Sequence, residues 1–168
     1  MKAFSKHPLV LVMVGALVGG AAVWSLPQDQ LRASTAGGND KFSMVTVPVT
    51  GVADTEAVFV LDHLTGILRG GHINGGGNGF TCLYQHNVAA DFQVNPNTPQ
   101  PKYVIISGAA QLRSQGGGGQ PANGILYVAE QTSGMVVAYG FSQPNNNSGP
   151  TGDIVRIGVF PFREALVR

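Results

Sequence analysis

Val58-Phe59-Val60-Leu61-Asp62-His63-Leu64-Thr65-Gly66-Ile67-Leu68 is answered further along the chain by Leu126-Tyr127-Val128-Ala129-Glu130-Gln131-Thr132-Ser133-Gly134-Met135-Val136. Apolar, acidic, hydroxyl and glycine positions coincide in order. Ala57 to Leu61 and Ile125 to Ala129 are apolar runs rich in β-branched and aromatic residues, too short for helices and bounded by turn residues, which predicts buried strands. Asp62 or Glu130 can accept backbone N–H bonds at the turn entrance, Asp more readily than Glu. Thr65 or Ser133 adds a weaker side-chain bond, and Gly66 or Gly134 supplies a residue that tolerates φ > 0 before the chain turns back. The stretch therefore reads as a β-hairpin written twice.

Outward from the hairpins, eight strands are expected: Phe42 to Val47, Ala57 to Leu61, Ile67 to Ile73, Phe80 to Tyr84, Lys102 to Ser107, Ile125 to Ala129, Val136 to Phe141 and Ile154 to Phe160. They form two sets of four, repeat units 42–92 and 102–162, each with the hairpin as its middle pair. Asn87 to Phe92 lacks strand alternation and is expected to take one helical turn. The fold class is all-β, eight short antiparallel strands in two four-stranded repeats behind an N-terminal transmembrane helix. The repeats would pack as two propeller-like blades or as a small sandwich or barrel.

Lys2, Lys6 and His7 precede an uncharged run from Pro8 to Gln28. Leu9 to Leu26 would span roughly 27 Å as a helix at ~1.5 Å per residue, close to the ~30 Å hydrocarbon core. Residues 1–26 are expected to be a signal anchor, with the lysines inside and Trp24 at the far interface. The alternative is a cleaved signal peptide and a secreted product. Residues 27–41 read as a polar linker and 42–168 as an exported β-domain. That makes the chain single-pass with its β-domain exported. Gly15 and Gly19 form a GxxxG pair through which two anchors could approach.

Charged residues are 11% of the chain, against ~25% in typical soluble domains. Glycine, at 24 of 168, is about twice its ordinary ~7% share, so turns and strand edges outweigh helices. A formal charge of +1 and the lack of any Lys/Arg run argue against nucleic acid as a partner.

Four strands centred on an apolar run, an acid, two residues, Thr/Ser-Gly and a second apolar run resemble a blade of the PQQ-like repeat propellers. The signature tryptophan of such blades is missing, and two blades do not close a ring of typically 4–8. Lys6-His7-Pro8-Leu9-Val10-Leu11, Leu61-Asp62-x-Leu64-Thr65-Gly66, Tyr84 to Phe92, Leu126 to Glu130 and Val159-Phe160-Pro161-Phe162-Arg163 resemble a family of short, membrane-anchored exported β-proteins of planctomycete-type bacteria. The resemblance implies an anchored, exported β-domain, with the anchor in a bacterial inner membrane and the domain in the periplasm, and carries over no catalytic residue.

No Gly-x-Ser-x-Gly elbow, phosphate-binding Gly-x-x-x-x-Gly-Lys-Ser/Thr loop or His-Glu-x-x-His pair occurs, so no catalytic residue and no cofactor are assigned. Cys82, His86 and Asp91, with His63 or His72 alongside, are acceptable ligand types for zinc or copper. On one continuous strand, however, Cys82 and His86 would lie about 13 Å apart. Cys82 otherwise reads as a buried small hydrophobe. Phe160, Phe162 and Arg163, around Pro161, offer either a contact surface or core packing.

The sequence thus favours a membrane-anchored structural or protein-interaction module whose partner is itself or another envelope protein. A small-ligand or glycan binder using the Gly- and Asn-rich loops is one alternative. A metalloprotein around Cys82 and His86 is the other.

Overall fold

A computed structural model describes residues 12–17, 36–49, 55–73, 77, 79–93, 101–113, 119–144 and 151–163. The chain divides into two compact units, Met1–Ala33 and Ser34–Arg168. In the first, residues 12–17 are helical, Gly15 among them, with exposed apolar side chains. Among the described residues no helix is long and apolar enough to cross a membrane. The rest of the expected anchor 1–26, Gly19 included, lies outside them.

The second unit contains ten strands among the described residues, where eight were expected: β1 (Ala36–Gly38), β2 (Phe42–Val49), β3 (Thr55–Asp62), β4 (Ile67–Ile73), β5 (Phe80–Asn87), β6 (Tyr103–Ala109), β7 (Pro121–Glu130), β8 (Met135–Ser142), β9 (Thr151–Gly152) and β10 (Ile154–Pro161). The two additions are β1, inside the presumed linker, and β9, inside the loop before the last strand. Both are too short to show alternation. They form because sheet edges present unpaired backbone groups: β1 runs antiparallel to β2, with Ala36 opposite Val45. The expectation of purely antiparallel pairing is also corrected, since β9 lies parallel to β5, with Leu83 opposite Thr151. The helical turn is Val88–Asp91, capped by the Asn87 side chain, which accepts from the Ala90 N–H.

Two sheets result, ordered β1-β2-β3-β4-β5-β9 and β10-β8-β7-β6. Val45, Val47, Phe59, Leu61, Leu68 and Tyr84 of the first share one core with Ile105, Leu126, Val128, Val137, Tyr139 and Phe141 of the second. Phe59 and Phe141 meet at 5.0 Å, and Phe141 and Tyr84 at 5.5 Å. At Gly124, β7 crosses close to the β2 backbone. Any Cβ there would collide with the Pro48 carbonyl and the Val47 side chain.

The hairpin echo extends over four strands in each sheet. The His63 N–H donates to the Lys41 carbonyl at 2.8 Å, and the Gln131 N–H to the Lys102 carbonyl at 3.0 Å. Gly66 N–H donates to the Asp62 carbonyl at 2.8 Å, and Gly134 N–H to that of Glu130 at 3.1 Å. At the far end the Val88 N–H donates to the Gly66 carbonyl at 2.9 Å, and the Phe162 N–H to that of Gly134 at 2.8 Å. Strand register completes the equivalence of β2-β3-β4-β5 with β6-β7-β8-β10. Phe42 opposite Asp62 matches Tyr103 opposite Glu130, Val45 opposite Phe59 matches Ile106 opposite Tyr127, and Leu68 opposite His86 matches Val136 opposite Phe160.

Equivalent residues face opposite ways relative to the shared core. Phe59 and Leu61 point into it, whereas their counterparts Tyr127 and Ala129 lie half-buried on the far side of the second sheet. Arg69 is exposed, whereas its counterpart Val137 is fully buried. The first repeat thus covers the second with the face that the second turns outward.

Candidate functional site

Three features of the β-domain have the character of sites. The first is a polar clasp between the sheets. His86, near the end of β5, donates from Nε2 to Asp91 Oδ2 at 2.6 Å. The Tyr139 hydroxyl, on β8, donates to the same oxygen at 2.9 Å. The His86 ring tilts against that of Tyr139 at 5.2 Å, and Arg156 Nη1 of β10 reaches Asp91 Oδ1 at 4.0 Å. The capped helical turn positions Asp91, docking on the first hairpin because both Val88 and Ala89 N–H groups donate to the Gly66 carbonyl. Burial, then the hydrogen bond and charge of Asp91, push the Tyr139 phenol well above its ordinary range. It stays a neutral donor. The arrangement spends its donors on one carboxylate and ties β5, the helical turn, β8 and β10 together.

This clasp contains two of the three candidate metal ligands, His86 and Asp91, without Cys82. Cys82 points to the same side of β5 but further along it, buried beside Tyr84. His63 Nε2 pairs with the Ser43 hydroxyl at 2.9 Å, and His72 Nε2 with that of Thr55 at 3.0 Å. Among the described residues no group of three or more potential ligands is gathered. Tyr139 and Arg156 escaped the sequence reading because their partner Asp91 lies in the other repeat, and no spacing signals that contact.

The second feature is a groove of about 530 Å³ beside β8 and β10, bounded by Leu112, Arg113, Phe141, Asp153, Val155 and Arg156. Its size falls within the ~300–1,000 Å³ of small-molecule sites. The described ends of the Gly-rich and Asn-rich loops border it.

The third feature is the outer face of the second sheet. Register aligns its outward residues in rows across β6, β7, β8 and β10: Val104, Ala129, Val136 and Phe160 in one, Ile106, Tyr127, Ala138 and Gly158 in the next. Gly108, Ile125, Gly140 and Val155 make a third, where the Leu112 side chain lies over Gly140. None is charged. Val104 is 53% exposed, Ile106 52% and Phe160 55%. The corresponding face of the first sheet carries Asp62, Arg69, Gln85 and Asn87 among its apolar residues. Of the expected contact residues, Phe160 therefore belongs to this patch. Phe162 and Arg163 lie at its end, exposed, with the Arg163 guanidinium 5.6 Å from the Phe162 ring and its stem against Gly134.

No protein-family model, curated protein or solved structure matches the chain.

Proposed function

We propose that the chain is a structural or protein-interaction module, anchored by residues 1–26 in a bacterial inner membrane with its β-domain in the periplasm, and that its repeats are two propeller-like blades. One observation carries the interaction reading: the charge-free outer face of the second sheet, on which Val104, Ile106, Val155 and Phe160 are exposed. Contiguous apolar patches of this kind on soluble domains mark interaction sites. Supporting the blade reading, equivalent residues face opposite ways. A rotation that carries one blade to the next puts the same side of each blade forward, whereas a two-fold sandwich would point equivalent residues into the core together. Lys2 and Lys6 ahead of the apolar run support the orientation of the anchor.

The test is in-cell photo-crosslinking with a benzophenone side chain at position 106. The expected result is a discrete protein adduct, absent when the probe stands at exposed Arg69, on β4 of the other sheet. A chain that yields no adduct from position 106 has no partner there, and the reading falls.

A second reading rests on the groove. Its Arg113, Asp153 and Arg156 beside an apolar floor, with Arg156 also 4.0 Å from Asp91, suit a small polar ligand or a glycan. A thermal-shift screen of such compounds should find a hit that Arg113→Ala abolishes, and a flat response would remove this reading.

A further inference from the structure

We infer that the outer face of the second sheet is an interface for a second copy of this chain, docked head to tail through the outer face of its β2–β3 hairpin. The inference rests on the interaction reading above and names its partner.

The argument is the repeat itself. Within one chain the core-facing side of the first repeat is covered by the core-facing side of the second. Because equivalent residues face opposite ways, the outward side of the second repeat is the counterpart of that covered side. Ile106 corresponds to Val45, yet Val45 is 1% exposed and Ile106 is 52% exposed. The side that does the covering, on the second repeat, likewise has a counterpart: the outward side of the first repeat. Met44 corresponds to Ile105, Val58 to Leu126 and Val60 to Val128. One chain therefore displays both halves of an interface that it has already formed once internally.

The internal contact also indicates which strands would meet. Inside the chain β2 lies against β6 and β7, so the counterpart contact sets β6 against β2 and β3 of the next copy. Those strands carry the apolar half of the first sheet's outer face, with exposed Met44 and half-buried Val58 and Val60. Arg69 and Gln85 lie on β4 and β5, toward the rim, where Arg69 Nε donates to Gln85 Oε1 at 3.3 Å. Glu56 and Asp62 stand at the two ends of β3 on this same face, so Val104 and Ile106 would pack on its apolar centre and leave both carboxylates at the edge of the contact, where water can reach them. A contact between unlike faces is heterologous, and it closes into a ring or grows into a fibre. Two blades per chain make a ring of about two to four copies when propellers hold roughly 4–8 blades.

Light scattering of the detergent-solubilised full chain tests this, with Ile106→Lys on one face and Met44→Glu on the other, both exposed positions that leave the core intact. The native chain is expected to assemble. Each variant alone should weaken assembly at least tenfold, and mixing the two should restore it, because the new lysine then faces the new glutamate. Loss with Ile106→Lys but not Met44→Glu would mean that like faces pair, and would overturn the head-to-tail arrangement. Assembly indifferent to both would place association elsewhere and overturn it as well. Should Ile106→Lys perturb the circular dichroism spectrum, Ile106→Thr replaces it with the same expected direction. A monomeric native chain that still crosslinks a different protein from position 106 sinks this inference and leaves the interaction reading standing; a monomer with no adduct sinks both.

Discussion

Asp62 and Glu130 occupy one position in two copies of one turn, and they are placed differently. Asp62 Oδ1 accepts from the Leu64 N–H at 2.9 Å beside solvent. Glu130 is 0% exposed, its two oxygens accepting from the Thr132 and Ser133 N–H groups at 2.8 and 2.6 Å. The turns differ little in backbone, since Gly66 and Gly134 sit at φ of 66° and 67°. What differs is the direction the acid faces. Asp62 projects from the outer side of its sheet, Glu130 toward the core, opposite Tyr103, whose phenol burial and then the Glu130 charge push up to about 12. A glutamate, the poorer turn former in the open, suits the buried copy because its longer side chain folds back onto two amides at once. The same turn is held by a carboxylate in both copies, beside solvent in one and buried in the other.

The largest expected effect breaks that comparison directly. Glu130→Ala strips the partners from the Thr132 and Ser133 N–H groups of an exposed turn, at roughly 1–3 kcal/mol for each unsatisfied group, and empties the fully buried site that the Glu130 side chain fills beneath that turn. The loss of stability should be about 4 kcal/mol. Asp62→Ala frees one amide at the surface, where water replaces the carboxylate, and should cost about 0.5 kcal/mol. Urea midpoints of the solubilised full chain measure both. Equal losses would mean that the burial of Glu130 contributes nothing.

The glycines reverse the order. A Cβ at Gly66 must adopt a left-handed φ and also collides with Ala89 of the docked helical turn. Gly66→Ala should therefore cost about 3 kcal/mol, from backbone strain and overpacking together. At Gly134 the φ is 67°, and the obstacle is Arg163, whose Cγ and Cδ can swing away while its Cβ, at 2.9 Å, moves only with the chain end that carries it. Gly134→Ala should cost about 1 kcal/mol. Together with the acid variants, these substitutions would show each copy depending on a different half of the same motif.

Both turns were readable in the sequence because each is local: an acid, a hydroxyl and a glycine at fixed spacing specify a hairpin whatever surrounds it. The full repeat was not. Lys41 and Lys102, Gly66 and Gly134, and Val88 and Phe162 are equivalent pairs at three different separations along the chain, since the connecting loops differ in length. A comparison at one fixed offset sees only the hairpin. The direction each copy faces was also hidden, because Leu61 and Ala129 are both apolar and either suits a core or an interface. The clasp was half-legible: His86 and Asp91 are near neighbours in sequence, but Tyr139 joins them only through the packing of one repeat on the other.

Acid should separate the turns by amplitude. Burial raises the Glu130 carboxyl, but the Ser133 and Thr132 amides outweigh it and hold the group below its ordinary 4.5. The Leu64 amide, then Thr65, hold Asp62 below 3.8. A carboxyl depressed by folding contributes stability that is complete above its unfolded value and lost as pH falls through the folded one. Stability should therefore decline on acidification below about pH 4.5. Glu130→Gln should flatten most of the upper part of that decline, and Asp62→Asn a smaller part at lower pH. An acid limb unchanged in Glu130→Gln would show that the buried carboxylate is not what titrates.

The hydroxyls give the smallest effect and the finest comparison. Thr65 Oγ1 accepts from the Ile67 N–H at 3.3 Å, and Ser133 Oγ donates to the Glu130 carbonyl at 3.4 Å. Both bonds are long, so Thr65→Ala and Ser133→Ala should each cost about 0.5 kcal/mol at neutral pH. Each hydroxyl also helps to hold its acid in the charged form, so each substitution should move that acid's titration upward. The shift should be larger for Ser133→Ala, because Glu130 is fully buried and has no solvent to take over the lost bond. Carboxyl chemical shifts followed by NMR against pH would resolve the two. A Glu130 titration left unmoved by Ser133→Ala would mean that the serine acts only on the backbone carbonyl, leaving the buried acid to its two amides.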